Sequence, residues 1–127
     1  MSVVPMFLLQ ALIMVESSGN DRAVGLAGEL GCLQISAIAK QDILRITGGI
    51  PSNRFNREQS IGMARAYLNY YVTKERLGRE PTLRDYALVW HRGPNGWTQE
   101  GYSAYWDRVM DYLPSTPLKI TLELPRQ

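Results

Sequence analysis

Histidine and cysteine each occur once in the 127 residues, as His91 and Cys32, and their scarcity excludes much chemistry at the outset. A lone cysteine forbids an intramolecular disulfide, so packing alone must hold the chain together. No group of His, Cys and acidic residues has metal-ligand spacing, and no glycine loop cradles phosphate ahead of a lysine, so no metal or other cofactor is expected. Charge of one sign is also scarce. Fourteen Lys and Arg against 12 Asp and Glu leave a net +2, too weak a bias to argue for a nucleic-acid partner. The main apolar run, Val3 to Val15 interrupted only by Gln10, is too short to span a bilayer. It has no basic segment before it and no Ala-x-Ala-like site after it, so it does not read as a secretory leader.

What is present reads as one helical domain. The chain is 45% hydrophobic and 20% charged, enough to bury a sizeable core, and it shows no repeat, low-complexity segment or linker. Pro5 fits the first turn of a helix whose all-round apolar character predicts a central position. Leu33, Ile35, Ile38, Ile43, Leu44 and Ile46 predict a helix over 33–47, stopped by Gly48-Gly49. Asn56, with Gln59 three residues on, caps the longest helix, whose buried stripe runs from Ile61 to Tyr71 and which Gly78 ends. Thr82 with Asp85 starts another, broken at Gly93-Pro94, and Asn95-Gly96 marks a turn. A last helix spans about 103–113 and stops at Pro114. Beyond it Leu118, Ile120, Leu122 and Leu124 alternate with polar residues as in a strand. The expectation is an all-α domain over 1–113 and a tail over 114–127 with a short C-terminal β-strand. A strand leaves its backbone unpaired unless it folds back or joins another copy, which makes self-association through the tail a candidate.

Glu16 is the strongest candidate for chemistry. It closes the apolar run and opens a glycine-studded stretch, with Gly19, Gly25, Gly28 and Gly31, that can bend into a cleft wall. A dry helix on one side and the negative end of its dipole both favour the protonated carboxyl, which suits a general acid near neutral pH. A surface Glu at a helix end is the plainer reading. Cys32 and His91 as a nucleophilic pair are set aside, since a small buried hydrophobe explains Cys32 and a structural role explains His91. Lining a cleft, His91 would titrate near neutral pH and add a second limb to the activity.

The stretch from Glu16 to Ile35 resembles the first motif of lytic transglycosylases and their goose-type lysozyme relatives. Glu16, Ser17, Ala23, Val24, Gly28 and Gly31-Cys32-Leu33-Gln34-Ile35 fall in the family's register. Ala87 to Pro94 resembles the family's Ala-x-x-Tyr-Asn-x-Gly-Pro segment, with Trp90 for the usual Tyr and His91 for the usual Asn. Tyr105 to Tyr112 resembles its closing Tyr-Val-x-x-Val helix. The resemblance implies a lysozyme-like helical fold and a muramidase that cleaves the MurNAc-GlcNAc β-1,4 bond of peptidoglycan glycan strands. It further implies that Glu16 protonates the leaving oxygen, the sugar's N-acetyl group assists, and the same glutamate then deprotonates the muramyl 6-hydroxyl to close a 1,6-anhydro ring.

By the same resemblance Ser17 hydrogen-bonds near the acid or the substrate, Gln34 lines the cleft, and Tyr105 holds the Glu16 carboxyl. The plainer readings are backbone satisfaction for Ser17 and a core aromatic with a wet tip for Tyr105. Trp90, Trp97 and Trp106 are candidates to stack on sugar faces, with Trp97, near the turn, foremost, although packing alone also explains each. Hydrolysis with inversion instead needs a second acid roughly 6.5–9.5 Å from the first. Glu29 stands at an offset similar to that acid in goose-type lysozymes, but a loop Glu facing solvent is the favoured reading. Transglycosylation is expected ahead of a lysozyme-type hydrolysis. A non-catalytic wall-binding or structural module is the competing class, because Trp90 and His91 depart from the pattern. A short domain without a leader points to phage lysis, or to export by a route that the chain does not display.

Overall fold

The computed structural model describes residues 3–115, and the strand expected at 118–124, with the self-association drawn from it, lies outside them. Among the described residues there are six α-helices and no sheet: α1 Met6–Ser17, α2 Ala37–Thr47, α3 Arg57–Tyr71, α4 Lys74–Leu77, α5 Leu83–Arg92 and α6 Ala104–Met110. A 3₁₀ turn, Gly96–Thr98, joins the last two. None of these helices is long and apolar enough to cross a membrane.

Helix α1 packs against α3, α5 and α6, with Leu8, Leu9 and Leu12 sealed from solvent. Full burial of each leucine is worth about 1.5–3 kcal/mol. The helix is not wholly enclosed, as its composition had implied: Met6, Gln10 and Met14, four residues apart on one face, stay exposed. Pro5 stands one place earlier than expected, as the N-cap, where its carbonyl accepts from Leu8 N at 3.1 Å.

Two helices are shorter than their apolar patterns predict. Helix α2 begins at Ala37 rather than Leu33, because Gln34 adopts a left-handed backbone (φ 53°) and Ile35 exchanges both backbone hydrogen bonds with Leu30. Ser36 then caps the helix by accepting from Ala39 N at 3.0 Å. Ile38, placed in the buried stripe by spacing, is 80% exposed as a result. Helix α3 ends at Tyr71 because the buried Val72 turns out of the helix (ψ 85°) and Thr73 caps a new turn, α4, which Gly78 closes. Asn56 caps α3 as expected, yet Gln59 reaches past it to accept from Asn53 N at 2.7 Å.

The capping signal at α5 forms completely. Thr82 and Asp85 bond each other's backbone N–H, and Arg79 grips the buried Asp85 carboxylate with two bonds of 2.6 and 2.9 Å. This anchors the start of the helix whose far end faces the cleft. Between α1 and α2 the glycine-rich stretch folds as a compact loop with bridges Val24–Leu30 and Leu30–Ile35. Gly31 sits there at φ +84°, and the Arg54 carbonyl occupies the space that a Cβ would take.

Candidate active site

The last turn of α1, this loop, α2 and the end of α5 enclose a cleft of about 1050 Å³. Glu16 lies in it, delivered by the helix that carries Leu8, Leu9 and Leu12 of the core. Its Oε2 accepts a 2.7 Å hydrogen bond from the hydroxyl of Tyr105 on α6, 89 positions away in sequence. Burial is the leading influence on Glu16 and raises its pKa above the ordinary value. The Tyr105 hydrogen bond and the charge of Arg108 pull it down, and Glu29 pushes it up. The net direction is towards a carboxyl that keeps its proton.

Tyr105 is 4% exposed and its own pKa is driven far up, first by burial and then by the Glu16 charge, so it serves as a permanent donor. Two neighbours meet its ring. His91 stacks on it with centroids 4.1 Å apart and planes 7° from parallel, and the Arg108 guanidinium stands 5.7 Å from the ring centre. Burial, then the charges of Arg108 and Arg92, lower the His91 pKa and favour the neutral imidazole.

Glu29, expected to face solvent, lies instead in the cleft wall, because the backbone bond from Gly25 N to Glu29 O (2.7 Å) folds the loop back on itself. Its Oε1 accepts from Ala27 N at 3.1 Å. Gln34 lines the same wall, and its left-handed backbone lets the side-chain amide donate to Gly31 O at 2.9 Å. A Cβ on Gly25 would strike the side-chain oxygens of both Glu29 and Gln34, so a glycine there lets the two lie against the backbone. Trp90 and His91 also line the cleft, with Trp90 edge-on to Tyr67 at 5.7 Å.

Three expected contributors, Ser17, Trp97 and Trp106, are elsewhere. The Ser17 hydroxyl is spent on the backbone, donating towards Cys32 O at 2.8 Å and Ile13 O at 3.1 Å, which ties the end of α1 to the loop below. Trp97 is not among the lining residues. It sits in the 3₁₀ turn, packed on the core with Arg79 5.9 Å from its ring. The turn that suggested an exposed platform is instead drawn against α5, and a Cβ on Gly96 would meet the Leu88 carbonyl. Trp106 is buried in the core, and so is Cys32, away from the cleft that His91 lines.

Sequence reasoning passed over one end of the cleft. Asp42 and Arg45 line it together with Tyr67, and the Asp42 carboxylate accepts from Tyr71 Oη at 2.5 Å and from Arg45 at 2.7 Å. The Tyr71 hydrogen bond, with Arg45 beside it, holds the Asp42 carboxyl below its usual range. An acid and an arginine three apart on a helix look like any surface pair, so only the Tyr71 and Tyr67 rings beneath them distinguish the site. Arg108 was missed for a similar reason, as one cation of an exposed helix face.

A helical, lysozyme-like fold that presents a half-buried glutamate with a raised pKa in an open groove defines a class of glycan-cleaving proteins. The chain belongs to the transglycosylase SLT domain family, whose model matches residues 1–84. Membership makes it a transglycosylase-type domain that acts on the glycosidic bonds of peptidoglycan. The match covers Glu16, Glu29 and Gln34, whereas Trp90, His91 and Tyr105 lie beyond it and are placed here by geometry.

Proposed function

We propose that the protein is a lytic transglycosylase that cleaves the MurNAc-GlcNAc β-1,4 bond with Glu16 as its single acid and base. The observation that carries this reading is a carboxyl whose pKa burial raises, open to a cleft and with one oxygen held by Tyr105. Glu16 donates its proton to the bridging oxygen as the bond to the muramyl carbon breaks, and the N-acetyl group of the sugar meets the positive charge that develops there. The resulting carboxylate takes the proton of the muramyl 6-hydroxyl, whose oxygen closes the anhydro ring, and Glu16 returns to its starting state. Tyr105 donates to Oε2 throughout and fixes the plane of the carboxyl. Gln34, Trp90 and His91 contact the glycan along the walls. Glu16→Gln is expected to lower turnover on purified sacculi about 10²–10⁴-fold with the helical spectrum unchanged, and full activity would refute the assignment.

A second reading is hydrolysis, with Glu29 activating water. Its place in the cleft wall, near enough to influence Glu16, favours it over the other acids. Mass spectrometry of digested sacculi separates the two: 1,6-anhydro ends mean transglycosylation, and free reducing ends mean hydrolysis.

A further inference from the structure

Tyr105 has a cover on the cleft side. It is itself buried, whereas His91 is exposed and lines the cleft, so the imidazole stacked on the phenol separates it from the groove. Among the described residues no hydrogen bond holds the imidazole by its nitrogens, and the stack fixes it. Glu16 on α1, Tyr105 on α6 and His91 on α5 therefore form one chain of contacts across three helices.

We propose that His91 is a positioning residue for Glu16 that acts through Tyr105: its ring covers the phenol, and the stacked pair excludes water from that side of the carboxyl. The catalytic meaning of this assignment rests on Glu16 being the acid, but the contact itself does not. The charged and titratable groups around the pair are few. Arg92 on α5 and Arg108 on α6 face His91, and Tyr105, Arg108 and Glu29 face Glu16. Both arginines favour a neutral imidazole, which suits the role, since an imidazolium would add a positive charge and draw the proton off the acid.

The test is a substrate-free titration of the Glu16 carboxyl by carbon-13 NMR in the wild type, His91→Ala and His91→Phe. Thermal melts and near-ultraviolet spectra control for folding. Removing the ring admits water, and because burial is the leading influence on Glu16, the midpoint in His91→Ala is expected to fall by about 0.5 on the pH scale or more. Phenylalanine restores a flat ring without a titrating nitrogen, and its midpoint is expected to stay with the wild type. An unchanged or higher midpoint in His91→Ala would overturn the proposal, and so would an equal fall in His91→Phe. Since no turnover enters the measurement, an active Glu16→Gln would remove the catalytic reading and leave this result standing.

Discussion

Burial makes the Glu16 carboxyl hold its proton more tightly in the folded chain than in the unfolded one, which suits the proposed acid while it costs stability. Below the ordinary glutamate range both states are protonated and the group is neutral towards folding. As pH rises through that range the unfolded chain ionises first and gains. Above the raised value both states are ionised, and the fold bears the cost of a charge in a partly desolvated site. Stability conferred by the protonated form is thus present at low pH and lost as pH climbs through the raised pKa. Glu16→Gln keeps an oxygen for Tyr105 and removes the ionisation, so its Tm is expected to match the wild type near pH 4 and exceed it at pH 8. Paired melts across that range check the sign, and a gap that closes with rising pH would contradict it. On the proposed mechanism the same titration sets the alkaline limit of activity, because the ionised carboxyl has no proton to give.

At the scale of elements, the loop between α1 and α2 decides whether the acid has a wall to work against. Its shape depends on Gly31, where the backbone is left-handed and the Arg54 carbonyl fills the place of a side chain. Gly31→Ala is expected to destabilise the chain by about 1–3 kcal/mol or more, read as a lower denaturation midpoint with an unchanged slope. An alanine variant as stable as the wild type would show that the loop does not require this approach. The same loop marks where the sequence was legible. Caps with a local chemical logic, such as Asn56, Thr82 with Asp85, and Gly93, could be located from residue types alone because their bonds span three or four positions. Apolar spacing overran at 33–36 and at 72–73. There the backbone leaves the helix for reasons that spacing does not record: a strand-like pair between Leu30 and Ile35, and a buried β-branched Val72. Glu16, Gln34 and Tyr105 stood out because a family motif carried them. The Asp42–Tyr71 bond joins distant segments, which one sequence does not display, while Glu29 in the wall and the displaced Trp97 depend on close local turns that residue types do not announce.

For the molecule as a whole, the family match stops at residue 84, but the core does not. Leu88 and Val89 of α5 and Trp106 and Val109 of α6 are buried, and α1 leans on both helices. A chain cut after residue 84 is therefore expected to lose cooperative unfolding and to show the dispersed helicity of a collapsed state. A sharp thermal transition in that fragment would show that the matched segment suffices.

The hydrogen bond that holds the carboxyl also joins residues 89 positions apart. A ribosome adds Tyr105 long after Glu16, so a nascent copy carries the carboxyl for a time without the phenol that steadies it. The carboxyl therefore reaches its held state only once α6 has been synthesised and has folded onto α1.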